Sequence, residues 1–212
     1  LLFAWGGFVA LAAFYVLYVT TRRGALYSDE AWYLYNAVQA LSHGEIGSYL
    51  PQAPSHLFNA FFMLFVGDGY LAQRHVYTAC TLAAGATLLA GAGGPGLIRC
   101  ALFPLGLSCI LVAGLSSVIN YQNGPGLFLA MGLGLYFFAD RAARARLRGL
   151  PAKALVLSLA AGFFLAASAM ANLTVAPGLA LICLVLLWRA LRERRPVLAV
   201  CPLSCGAFLA AM

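Results

Sequence analysis

Long apolar runs joined by short polar turns extend through almost the whole sequence, and they constrain the fold more than any motif does. Hydrophobic residues occupy 63% of the 212 positions and charged residues only 9%. Soluble domains carry about a quarter charged residues, so this much apolar surface requires a nonaqueous solvent. We therefore expect an integral membrane protein.

The apolar runs predict the number of membrane crossings. A span needs about 20 apolar residues, and the candidate runs are 1–20, 71–92, 97–119, 124–139, 154–171, 176–188 with its flanks, and 197–212. The fourth is short, and the first and last begin and end inside apolar sequence. Leu57–Val66 is too short to cross and suits an interfacial helix. We predict an all-α polytopic membrane protein with about seven transmembrane helices and juxtamembrane amphipathic helices in a first outer loop, 21–70. Residues 1–212 would form a single module, truncated at both ends.

The basic residues predict the orientation. Ten of the 13 lysines and arginines lie in the loops 140–153 and 189–196 or at Arg99, and cytoplasmic loops carry such an excess. The loop 21–70 and the turns 120–124 and 171–175 then face outward. The sequence has no basic face with interleaved aromatic residues, which argues against nucleic acid as a partner. Membrane lipids are the expected surroundings.

The outer loop concentrates the ionisable residues. Four of the six acids lie between residues 29 and 68, and the three histidines are His43, His56 and His75. A divalent metal held by His43, His56 and acids is a minor alternative, because the spacing matches no ligand signature. No cofactor is otherwise indicated.

The segment Ser28–Gly44 reads SDEAWYLYNAVQALSHG and has the pattern of a helix. Serine can cap a helix, and Asp29 and Glu30 suit the positive end of its dipole at roughly 0.3–1 kcal/mol each. An apolar stripe follows at Leu34, Val38 and Leu41, and Gly44 can end the helix. From this pattern alone, the acid pair is explained equally well by a structural role at the start of the helix or by a role in a functional site.

The order of these parts resembles a known family. SDEAWYLYNAVQALSHGEIGSY and PQAPSHLFNAFFMLFVGDGYLAQRHVYTA are similar to the first outer loop of the GT-C superfamily of glycosyltransferases, in particular members related to protein mannosyltransferases and the lipid A aminoarabinose transferase. Both have an acid pair after the first span, a helix with Tyr and Ala, a Pro-rich stretch, and a second helix ending in Gly-Asp. The resemblance covers 20–90; beyond it only span count and loop lengths agree. One departure is Ala53-Pro54-Ser55-His56, where family members often have a basic residue before a Pro pair.

This resemblance implies a membrane enzyme of the bacterial inner membrane, with its active loop on the periplasmic side. Such enzymes transfer a sugar from a polyprenyl-phosphate donor to an acceptor with inversion. Asp29 would be the general base and Glu30 a partner that orients the acceptor. The substrate-binding candidates are Arg74, His75 and His56 for the donor phosphate, and Asn120 and Asn123 for the sugar.

A second hypothesis is a noncatalytic GT-C-like subunit that serves as a scaffold with other membrane subunits. It is motivated by the short length, since full enzymes of this kind usually carry more spans. A transporter is less favoured, because mid-span ionisable residues are not evident apart from Arg74 and His75 near an edge.

Overall fold

Regular structure in the described residues is entirely helical, which confirms the predicted fold class at that level. The computed structural model describes residues 28–44, 53–92, 124–144 and 150–211. The described helices are α1 (Ser28–His43), α2 (Ala53–Val66), α3 (Tyr70–Ala92), α4 (Gly124–Arg144), α5 (Leu150–Ala171), α6 (Ala176–Arg192) and α7 (Pro196–Ala210). A short 3-10 turn, Leu173–Val175, links α5 to α6. The chain divides into two compact units: the first holds α1, α2 and α3 through Ala83, and the second holds the rest of α3 and α4 to α7.

Three of the described helical segments are long and apolar enough to cross a membrane: Gly124–Arg144, Ala152–Ala171 and Leu173–Arg192. They support the predicted membrane character. The predicted span 71–92 is helical in α3, which has 23 residues, but it is not among the three because polar residues interrupt its first turns. At 15 residues, α7 is shorter than a typical span. The predicted spans 1–20 and 97–119 lie outside the described residues.

In the first unit, α1 packs against α2. Tyr33, Leu34 and Ala37 of α1 form a small buried core with Ala60 and Met63 of α2. The predicted apolar stripe is confirmed at Leu34, which is in this core, and at Val38, which packs against it. It is wrong at Leu41, which remains 43% exposed.

Glycines end both of these helices. Gly44 and Gly67 have φ values of 68° and 81°, which glycine adopts at little steric cost. Their N–H groups donate to the carbonyl oxygens of Ala40 at 3.2 Å and Met63 at 2.9 Å. The predicted end at Gly44 is therefore confirmed for α1, whereas the residues before Ser28 lie outside the described part of the chain.

The second unit has an apolar core built by α4 to α7. Its buried members include Tyr136 and Ala139 of α4, Ala161, Leu165, Ala166 and Ala169 of α5, Leu179, Leu186 and Ala190 of α6, and Leu198, Ala199, Cys201 and Cys205 of α7. Small residues let the helices approach closely. A Cβ at Gly134 of α4 would lie 2.7 Å from the backbone nitrogen of Leu88 in α3. A Cβ at Gly132 would lie 2.9 Å from the side chain of Leu165.

An ion cluster holds one end of this unit. Asp140, whose side chain is 8% exposed, lies 2.8 Å from the guanidinium of Arg144, 2.9 Å from that of Arg189 and 2.6 Å from that of Arg195. The sequence predicted that the fourth span ends at Ala139, but α4 continues to Arg144. The extension is explained by these pairs, since the helical spacing of four residues brings Arg144 onto Asp140.

Glu193 completes the ion cluster. Its carboxylate lies 3.0 Å from Arg189, 3.5 Å from Arg195 and 3.6 Å from Arg144. The hydrogen bond from Arg189 holds the pKa of Glu193 below its usual range, so this carboxylate stays ionised at neutral pH. The cluster therefore joins α4, α6 and the turn between α6 and α7.

The closest helix contact, between α5 and α7, yields a test of the packing. A Cβ at Gly162 would collide with Oγ of Ser204 and lie 2.5 Å from the carbonyl oxygen of Cys201, whereas a Cβ at Gly206 meets nothing within 4 Å. Gly162→Ala is expected to destabilise the protein by about 1–3 kcal/mol, because a backbone atom must move. Gly206→Ala, the matched control on α7, should be neutral or stabilising by up to roughly 1 kcal/mol. Thermal unfolding in detergent measures both, and equal effects would contradict the packing.

Candidate functional site

The first unit buries many polar side chains for so apolar a chain. Those with little exposure are Asn36, Ser55, His56, Asn59, Gln73, Arg74, Thr78 and Thr81. Burial of a polar group costs free energy unless a hydrogen bond compensates it. This concentration makes α1, α2 and the start of α3 the part of the described structure where a binding or catalytic site is most expected.

His56 lies in an aromatic cluster, which we define as Trp32, Tyr33 and His56. The imidazole stacks on the ring of Tyr33 with centroids 4.9 Å apart and planes at 27°. The ring of Trp32 meets the imidazole edge-on at 5.0 Å and that of Tyr33 at 5.1 Å. His56 is 1% exposed as a result. The cluster thus attaches the start of α2 to the second turn of α1.

Burial changes the acid–base behaviour of His56. Desolvation lowers the pKa of its imidazole, and a hydrogen bond with the backbone of Tyr33 offsets part of that effect. Its Nδ1 atom is buried and has no hydrogen-bond partner within the described residues. Because the lowered pKa favours neutral imidazole at neutral pH, this finding weighs against the predicted cationic contact from His56 to a donor phosphate.

The acid pair begins the helix that carries this cluster. Asp29 and Glu30 are in the first turn of α1, and Asp29 lies one helical turn before Tyr33. Farther along, Nδ2 of Asn36 donates to the carbonyl oxygen of Trp32 at 2.8 Å. Asn36 is 7% exposed, and this hydrogen bond to its own helix compensates for the burial of its amide.

The start of α3 carries a buried arginine. Arg74 is 2% exposed, and its carbonyl oxygen accepts a hydrogen bond from Oγ1 of Thr78 at 3.0 Å. Nε2 of Gln73 donates to the carbonyl oxygen of Gly67 at 2.9 Å, which fixes the start of α3 to the turn after α2. His75 is exposed, so these two predicted phosphate contacts occupy different environments. Asn120 and Asn123 lie outside the described residues.

Other sites with ligand-binding chemistry are scarce in the described part of the chain. Within it, no group of three or more His, Cys, Asp or Glu side chains could hold a metal ion. A groove of about 380 Å³ beside α6 and α7 is lined almost wholly by apolar side chains, with Cys183 and Cys205 among them. It offers no charged group for a polar substrate.

Sequence reasoning found His56 and Arg74 but missed the aromatic partners. Nothing in the sequence around Trp32 and Tyr33 distinguishes rings that pack on a histidine from rings that lie at a membrane interface. The available signal was their position, three and four residues after Asp29. Gln73 was also missed, although its place just after the Gly67–Gly69 turn suggested a capping role.

The comparisons with known proteins give no assignment. No family model, no curated protein and no solved structure matches this chain. Its function must therefore be argued from its own residues and from the resemblance of their order to a known loop.

Acid is expected to open the aromatic cluster. The pKa of His56 in the folded protein lies below the value of about 6.5 for a free histidine. The cluster is therefore most stable above pH 6.5 and loses stability as pH falls from 6.5 toward the lowered pKa, since the open state binds the proton more readily. The emission of Trp32, in a variant with Trp5→Phe and Trp188→Phe, measures this change.

Two histidine controls make that titration specific. His56→Gln should remove the pH-dependent change in Trp32 emission. His43→Gln and His75→Gln should retain it, because both residues are exposed. An identical titration in the His56→Gln protein would show that another group causes the change.

Proposed function

We propose that this chain is the membrane module of a glycosyltransferase that transfers a sugar from a polyprenyl-phosphate donor to an acceptor hydroxyl. The observation that carries the proposal is the acid pair Asp29-Glu30 at the start of α1, one turn before an aromatic cluster in a unit rich in buried polar groups. Functional sites commonly combine ionisable residues with buried polar ones.

The order of helices supports the same interpretation. Acid pair, helix, glycine end, second helix, Gly-Asp turn and third helix follow one another from Ser28 into α3. This is the order that resembles the GT-C loop. The accompanying proposal is a polytopic protein of about seven spans in a bacterial inner membrane, with this loop on the outer side, where a lipid-borne donor can reach it.

The proposed reaction uses Asp29 as the general base. Its carboxylate takes the proton of the acceptor hydroxyl while the oxygen attacks the anomeric carbon of the sugar. The bond from that carbon to the phosphate oxygen breaks, and its electron pair leaves with the polyprenyl phosphate. Attack opposite the leaving group inverts the anomeric centre. Glu30 orients the acceptor in this scheme.

Binding of the donor phosphate calls for cationic groups, and guanidinium is the better of the available kinds because it forms paired hydrogen bonds with phosphate. Arg74 is the principal candidate, and its burial would strengthen the attraction. His75 is an exposed second candidate. His56 is better suited to hold the aromatic cluster. Asn120 and Asn123 remain proposed sugar contacts.

Loss of the base gives the direct test. Asp29→Asn is expected to lower kcat by roughly 100- to 10,000-fold, the usual contribution of a positioned acid or base. The assay would use membranes with long-chain polyprenyl-phosphate hexoses radiolabelled in the sugar, and would count label transferred to endogenous acceptors. A panel of such donors is needed to find one that the wild-type protein uses.

Asp68→Asn is the matched control, because Asp68 is an exposed carboxylate in the Gly67–Gly69 turn and receives the same substitution. It should leave kcat within about twofold of wild type. Equal transfer by the Asp29→Asn and wild-type proteins would exclude Asp29 as the base. Absence of transfer by wild type with every donor would instead favour the noncatalytic scaffold.

A further inference from the structure

The arginine-rich end of the second unit has more positive charge than its acids neutralise. Among the described residues, six arginines (Arg141, Arg144, Arg189, Arg192, Arg194 and Arg195) lie in or beside the ion cluster, against the two carboxylates of Asp140 and Glu193. Arg144, Arg189 and Arg195 form ion pairs with these carboxylates. These six arginines and two carboxylates together have a net charge of +4.

The three other arginines are available to bind an anion. Arg141, Arg192 and Arg194 form no ion pair within the described residues, and all three are exposed. The guanidinium of Arg192 lies over the ring of Trp188 at 5.1 Å from its centroid, and that of Arg141 lies 6.0 Å from the ring of Phe138. Stacking on an aromatic ring leaves the N–H edge of a guanidinium free to bind an anion.

An exposed apolar surface continues from these arginines along α6. Its large side chains at helical spacing are Leu181, Leu184, Val185, Trp188 and Leu191, which are between 53% and 65% exposed. The helix itself is apolar enough to span a membrane. Arg192 is therefore located where a cationic edge meets an apolar surface, and Trp188 has the amphipathic ring that suits such a boundary.

We propose that this end of α4 and α6 binds an anionic phospholipid, with the headgroup phosphate on Arg192, Arg194 and Arg141 and the acyl chains along α6. The excess charge complements the phosphate, and the adjoining apolar surface favours a lipid over a free anion, which could use only the guanidinium groups. The ion pairs of Asp140 hold α4 and α6 together, so that arginines of both helices are presented at one end. This inference is independent of the proposed catalytic function.

Quenching of Trp188 can test lipid selectivity. The full chain with Trp5→Phe and Trp32→Phe would be reconstituted in vesicles in which either phosphatidylglycerol or phosphatidylcholine carries brominated acyl chains. Bromine quenches a nearby indole, so the ratio of the two quenching curves gives the relative affinity beside α6. We expect preference for phosphatidylglycerol of at least fivefold, falling as salt rises. Equal quenching by the two lipids would overturn the proposal.

Charge variants separate a site from a general surface potential. Arg192→Gln should reduce the preference by about fivefold, since one basic residue near the surface has about that effect. Lys153→Gln removes one exposed positive charge at the start of α5 and should leave the preference unchanged. Equal reductions in both variants would overturn a specific site. Because Arg192 is not one of the partners of Asp140, its replacement leaves the ion cluster intact.

A soluble anion distinguishes the source of the phosphate. Inorganic phosphate at millimolar concentration, compared with chloride of the same ionic strength, should not reduce quenching by brominated phosphatidylglycerol. Complete competition by inorganic phosphate would overturn the lipid assignment and identify a simple anion site. If a protein with both Arg192→Lys and Arg194→Lys keeps the preference for phosphatidylglycerol, positive charge is sufficient for lipid binding, as the proposal allows. The unfolding temperature of that protein shows whether it is folded.

Discussion

The cost of placing a charge in an apolar solvent is the constraint on which this structure depends. With charged residues at only 9% of positions, each must lie at an end of its helix or have a partner. Asp140 meets that requirement through three guanidinium groups. The same pairs join α4 to α6, so the charge requirement shapes the packing of these helices.

In the first unit, hydrogen bonds and ring contacts accompany the burial of polar groups. Asn36 bonds to its own helix, Gln73 bonds to the turn before α3, and His56 is covered by Trp32 and Tyr33. The ring contacts fix α1, the helix that begins with the acid pair, against α2. A rigid, partly desolvated surrounding of this kind is what a general base on α1 would require.

Features that depend on local sequence could be predicted, and features that depend on a distant partner could not. Gly44 marks the end of α1 because a positive φ, which glycine adopts readily, is a local property. The buried face of α1 was mispredicted at Leu41, since the covering side chains come from α2. The pairing of Asp140 with Arg189 and Arg195 was not predicted, because these arginines follow it by 49 and 55 residues. The candidate roles of Asp29 and Glu30 remain predictions, made from their place in the chain.

The proposed topology has the loop 21–70, which carries the acid pair, on the outer side of the membrane and the arginine-rich loops 140–153 and 189–196 on the cytoplasmic side. Accessibility of single cysteines measures this most directly. Asp68→Cys and Arg194→Cys, each at an exposed position, would be treated in intact cells and in lysed cells with a membrane-impermeant maleimide, and the parent chain would report any reaction of its native cysteines. The account predicts labelling of Asp68→Cys in intact cells and of Arg194→Cys only after lysis. Labelling of both positions from the same side would contradict it.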